Sequence, residues 1–134
     1  MSFRSIGEPG LGAEGASQAA GKAQPPTARG EIWTVAAPGA YTGKPRPALI
    51  LQRDDFDGTE SVTLAPFTTD AMEAPLFRVP FAPEDENGLS QPCSVMVDKI
   101  STVRRASLGR RIGRASAEDM QRVNRAALVF LGLA

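Results

Sequence analysis

Pro47-Ala48-Leu49-Ile50-Leu51-Gln52 is a short continuous apolar run, preceded by the loop signal Gly43-Lys44-Pro45 and followed by a turn from Asp54 to Gly58. Apolar residues at every position, not at every second one, predict a strand buried on both faces. Upstream, Glu31-Ile32-Trp33-Thr34-Val35 alternates and reads as the strand before it, with Trp33 in the core or at a subunit interface. Downstream, Ser61-Val62-Thr63-Leu64-Ala65-Pro66-Phe67 supplies a third strand and Phe77-Arg78-Val79-Pro80-Phe81 a fourth, where Pro80 favours a sheet edge. Ser94-Val95-Met96-Val97-Asp98 is a fifth, and Ser101-Thr102-Val103 continues the pairing after a bend. Short strands at this spacing predict a barrel or sandwich, not βαβ units. The period then changes. Ser116 with Asp119 resembles a capping box, and Met120, Val123, Ala127, Phe130 and Leu131 share one helical face that should lie across the barrel. Half of residues 1–28 are Gly, Ala or Pro, so this stretch is expected to be a flexible tail ahead of one domain over 29–134.

The chain has 134 residues, one cysteine and no histidine. Cys93 alone cannot form an internal bridge, and a Cys/His zinc site has no second ligand type. Without histidine, Ser-His-Asp and Cys-His catalysis are excluded, as is a ribonuclease built on paired histidines. The longest apolar run, Ala126 to Ala134, has nine residues, too few to span a bilayer, and a cytoplasmic location with Cys93 reduced is expected. The net charge of zero conceals a division of sign. Residues 1–53 carry six bases and three acids, residues 54–98 ten acids and one base, and residues 99–134 eight bases and two acids. Two arrangements are open: the acidic and basic segments face each other, or a basic groove for a polyanion stands apart from them.

Arg29-Gly30-Glu31-Ile32-Trp33 resembles the opening strand of the MazF/PemK (Kid) toxins of type II toxin–antitoxin systems. Gly43-Lys44-Pro45-Arg46-Pro47 is similar to that family's Gly-x-x-Arg-Pro motif, and Ala65-Pro66-Phe67-Thr68-Thr69 to its strand ending in threonines. Asp98-Lys99-Ile100-Ser101-Thr102-Val103 resembles its acidic-Gln/Lys-Ile/Val-x-Thr segment, and Arg111-Ile112-Gly113 the strand before its final helix. Single pieces of this kind are common; their order and spacing over residues 29–134 make the signal specific.

The resemblance implies a mainly β (α+β) fold, a small SH3-like, PemK-type β-barrel with a C-terminal helix, working as a homodimer. It implies a metal-independent, sequence-specific endoribonuclease, without cofactor, that cuts single-stranded messenger RNA by attack of the neighbouring 2′-hydroxyl. It implies as partner a cognate antitoxin with an acidic disordered segment. Arg46 and Thr68 are carried over as catalytic, with Asp98 a candidate base. Lys44, Thr69, Lys99 and Tyr41 are candidate RNA contacts, Tyr41 by stacking on a base. Each has a plainer reading: Arg46 in an ion pair with Asp54–Asp57, Thr68 and Thr69 as a strand end satisfying turn amides, Asp98 as a turn cap or ion-pair partner, and Tyr41 covering a core edge. Met96 stands two residues before Asp98, so the Arg-x-Asp pair of the Kid-like branch is absent. Alternative functions are a CcdB-like gyrase-binding toxin and a catalytically weak member that mainly binds its antitoxin.

Overall fold

The apolar run forms the middle of the sheet. The computed structural model describes residues 25–36, 44–70 and 76–134. Strand β2 (Arg46–Ile50) lies between β1 (Glu31–Val35) and β3 (Ser61–Thr68), antiparallel to both. Its residues are buried alternately to the two sides: Leu49 packs with Ile32, Ala65 and Phe67, while Ala48 and Ile50 pack with Trp33, Val35, Val62 and Leu64. From Ala48 to Ile50 the strand has two partners and two covered faces, which is why its run is apolar at every position there, while Arg46 at its start is exposed.

The remaining strands are β4 (Arg78–Phe81), β5 (Cys93–Met96), β6 (Ser101–Arg104) and β7 (Leu108–Arg114). The order is β4-β5-β3-β2-β1-β7, with β6 pairing β3. β3 serves two strands on one side: Ser61–Leu64 pair with β6, and Phe67–Thr68 pair with β5. Pro66, which has no N–H to donate, falls where the partner changes, and this accounts for a proline in a central strand. Pro80 lies in β4, which ends the sheet, as its edge preference predicts.

Among the described residues no ladder closes the sheet, so the barrel is open between β4 and β7. The turn between β4 and β5 spans that seam. Arg114 donates its N–H to the Glu86 carbonyl at 2.9 Å. Gly88 has φ +70°, and a Cβ there would stand 2.0 Å from the Ile112 carbonyl oxygen, so only glycine fits. Asn87, 1% exposed, holds the turn from within. Its Oδ1 accepts from Glu84 N and Leu89 N at 3.0 Å each, and its Nδ2 donates to the Ala82 carbonyl at 2.9 Å.

Helix α1 (Ala117–Phe130) starts at Ser116, whose hydroxyl accepts from Asp119 N at 3.0 Å. The other half of the capping box is not made, because Asp119 turns its carboxylate to Arg122. Val123 and Ala126 are buried, and Met120 and Ala127 pack against the same core. Phe130 and Leu131 depart from the predicted apolar face, standing 46% and 58% exposed. The helix packs chiefly on β4 and the Val97–Lys99 turn, and its last turn carries these residues outward. None of the described helices is long and apolar enough to cross a membrane.

Of the expected tail, residues 1–24 lie outside the described residues, whereas Pro25–Ala28 are held against the domain. Arg105, 2% exposed, donates to the carbonyls of Pro25 and Thr59 and to the Thr27 hydroxyl, and pairs with Asp57 at 2.8 Å. Burial raises the Asp57 carboxyl, but hydrogen bonds from Thr27 and the charge of Arg105 outweigh it and hold the group below the usual range.

Candidate active site

A cleft of about 510 Å³ opens where β2 begins and β3 ends, a size typical of ligand sites, about 300–1,000 Å³. Lys44, Pro45, Arg46 and Pro47 line it from β2 and its lead-in, and Phe67, Thr68 and Thr69 from β3. Gly88–Gln91 from the seam turn, with Arg110 and Ile112 of β7, form another side. Lys44, Arg46, Thr68 and Thr69, remote in sequence, are thus brought together because β2 and β3 are neighbours.

Arg46 is exposed between two prolines that restrict the backbone around it. The ion pair with Asp54–Asp57 does not form. Asp54 accepts from Arg29 N, Asp55 pairs with Arg53 at 2.9 Å, and Asp57 pairs with Arg105. The Thr68 oxygen accepts from Asp70 N at 3.0 Å, the plainer reading of a strand-end threonine, and its hydroxyl proton meets no acceptor among the described residues. Cys93 also lines the cleft, and burial pushes its thiol up, so it stays protonated and contributes apolar surface.

Asp98 and Lys99 do not line the cleft. They occupy the turn after β5, where Lys99 is exposed. Both Asp98 oxygens accept from Arg78, at 2.8 Å from Nε and 3.1 Å from Nη2. This forked bond holds the Asp98 carboxyl below the usual range and raises the guanidinium of Arg78. Arg78 faces Met96 across the β4–β5 ladder, so an Arg–Asp pair absent from the local sequence is assembled from β4 and the turn after β5. Asp98 is therefore an ion-pair partner, the plainer of its two readings. Tyr41 lies outside the described residues. Trp33 is in the core, its Nε1 donating to Glu31 at 3.0 Å.

Among the described residues, one ion pair, Arg105–Asp57, joins the acidic centre to the basic C-terminal segment, so the two blocks do not neutralise each other face to face. No group of three or more Cys, Asp or Glu residues among those described is placed to hold a metal ion. Three features of the cleft escaped sequence reasoning: Asn87 under the seam turn, the Ser90–Gln91 edge, and Arg110. The Asn87-Gly88 dipeptide, a strong turn signal, would have pointed to the first.

Residues 28–131 match the family model of PemK-like, MazF-like toxins of type II toxin–antitoxin systems. The chain is 57% identical over 106 residues to a probable endoribonuclease MazF of Mycolicibacterium smegmatis, covering 79% of this chain and 97% of that one. Its fold superposes with a TM-score of 0.65 on the Mycobacterium tuberculosis toxin MazF-mt6, at 30% identity, over 78% of this chain and 98% of the other. An endoribonuclease in complex with its cognate antitoxin, from a mycobacterial species, also gives 0.65, at 25% identity over 81% of this chain and 97% of that one.

Proposed function

The chain belongs to the PemK-like, MazF-like toxins of type II toxin–antitoxin systems, and from that membership we propose that it is an endoribonuclease working through Arg46 and Thr68. The observation that carries this reading is their meeting in one cleft, with no carboxylate among the described residues spent on Arg46. The substrate is single-stranded RNA, chiefly messenger RNA in the cytoplasm, cut at a short sequence. The gyrase-binding alternative is not favoured, since the relative at 57% identity carries an endoribonuclease name.

In this mechanism the 2′-oxygen attacks the adjacent phosphorus and the bond from phosphorus to the 5′-oxygen breaks. The products are a 2′,3′-cyclic phosphate and a 5′-hydroxyl. A proton leaves the 2′-hydroxyl and one is delivered to the departing oxygen. The guanidinium of Arg46 grips two non-bridging oxygens and offsets the charge of the five-coordinate phosphorus. Thr68 donates its hydroxyl proton to the same phosphate. Lys44 and Thr69 hold the chain alongside, Tyr41 stacks on a base, and Lys99 meets a more distant phosphate. Asp98 is left out of the reacting set, because a carboxylate whose basicity Arg78 lowers is a poor proton acceptor. Water carries the protons, and the route needs no metal or cofactor.

The test is digestion of single-stranded RNA by the purified chain in EDTA, with the fragment ends identified. Cleavage leaving cyclic phosphates is expected. Arg46→Ala should lower turnover by about 10²-fold or more, and Thr68→Ala by about tenfold, with the melting temperature retained. Abolition by chelation, or parental rates in both variants, would sink the reading.

Two partners belong to the same proposal. One is a second copy of the chain, supported by the exposed apolar run of Leu128, Val129, Phe130, Leu131 and Leu133. The other is an antitoxin with an acidic segment, supported by the basic excess of residues 99–134.

A further inference from the structure

The side of the cleft formed by β7 and the seam turn carries groups that the cleavage step does not use. Arg110 is exposed there and has no ion-pair partner among the described residues. The β1–β7 ladder is irregular beside it. Trp33 faces Arg111 and Val35 faces Leu108, so Gly109 and Arg110 together stand opposite Thr34. Such a bulge re-aims a side chain, and these bulges are common beside functional sites. Thr34 fixes this one by accepting the Arg110 N–H at 3.0 Å on its hydroxyl. The arrangement requires Gly109, where a Cβ would stand 2.3 Å from that same oxygen. A constraint of this kind, ending in an unpaired guanidinium, holds a charge ready for an anion.

Gln91 is the second such group. It is exposed at the cleft and makes no hydrogen bond among the described residues. Its turn is pinned by Asn87 from within and by the approach of Gly88 to Ile112. A carboxamide on a fixed turn offers one acceptor and two donors, the equipment for reading the edge of an unstacked base.

Arg46 and Arg110 line the cleft from β2 and β7, the strands on either side of β1, whose backbones lie two ladder spacings or about 10 Å apart. Cations on two sides of one cleft can engage two different phosphates of one strand. Resting on the RNA-cleaving reading above, we propose that Arg110 and Gln91 form a subsite for the nucleotide flanking the scissile phosphate. Arg110 holds its phosphate and Gln91 selects its base.

The experiment has two arms, run on the full chain. In the first, a random-sequence RNA pool is cleaved and the 5′ ends of the fragments are sequenced. Gln91→Ala should flatten the base preference at one position beside the cut, leaving the other positions as in the parent. In the second, binding of an uncleavable 2′-O-methyl RNA is followed by fluorescence anisotropy across a salt series. Arg110→Ala should weaken binding about tenfold at low salt and reduce the slope of log K against log salt by about 0.7, the loss of one phosphate contact on a single strand. Arg104→Ala, an exposed charge on β6 outside the cleft, should keep the parental slope and separates local contact from net charge. An unchanged base profile in Gln91→Ala, or a parental slope in Arg110→Ala, overturns the subsite while leaving the ribonuclease reading intact. A parent that neither cleaves nor binds RNA overturns both.

Discussion

Asp98 shows how one side chain can be well placed in sequence and engaged elsewhere in space. Its two oxygens are taken by Arg78, and its carboxyl is held below the usual range by that hydrogen bond. The unfolded chain therefore binds this proton more readily than the folded one. The resulting stabilisation is complete above about pH 5 and is lost as the pH falls below about 4 and through the lowered folded value. Asp98→Asn removes the charge and should cost stability at pH 7, with the gap to the parent narrowing at pH 3. Urea unfolding at the two pH values measures this, and an equal gap at both would refute it. Thr68 is the converse case: its oxygen accepts from Asp70 N, yet it stays at the cleft with its hydroxyl proton available for the phosphate contact proposed above.

At the scale of elements, what was legible followed from burial. The uninterrupted run at β2 announced a central strand, Pro80 an edge, and Ser116 the start of a helix, because each reflects a local demand on the backbone. The Arg46–Thr68 side of the cleft was legible as well, since it lies on adjacent strands carrying recognisable motifs. The other side was not. Arg110 owes its aim to a bulge against Thr34, and the Arg78–Asp98 pair to a ladder register, neither of which has a local sequence signature. The seam turn matters for both sides, because it replaces the missing ladder between β4 and β7. Asn87→Ala would leave the amides of Glu84 and Leu89 and the Ala82 carbonyl without their partner. A loss of about 2 kcal/mol is expected, reduced from the full sum because Glu84 and Ala82 can turn to water. Thermal or urea denaturation measures it, and a change under about 0.5 kcal/mol, the range of an ordinary surface substitution, would contradict this role for the turn.

For the whole molecule, charge and apolar surface predict opposite responses to salt. Self-association through the exposed residues between Leu128 and Leu133 should persist or strengthen as salt rises. Capture of an acidic peptide by the basic segment should weaken over the same range. Sedimentation of the chain alone and with a labelled acidic peptide, at about 50 mM and 500 mM salt, separates the two: the Debye length falls from roughly 14 Å to 4 Å across that interval. A dimer that dissociates on adding salt, or a peptide that stays bound, would reverse the assignment of forces.

The open seam has one more consequence, for solubility. An unpaired strand edge is a template for joining another chain, and a molecule of zero net charge has little overall repulsion to prevent it. β7 ends the sheet, yet the turn occupies the N–H of Arg114 and crowds Ile112, and exposed Arg110 and Arg114 place charge on the strand, while Arg111 is paired with Glu31. A strand edge covered by a turn and bearing charged side chains thus guards against edge-to-edge aggregation where the protein as a whole has no net charge.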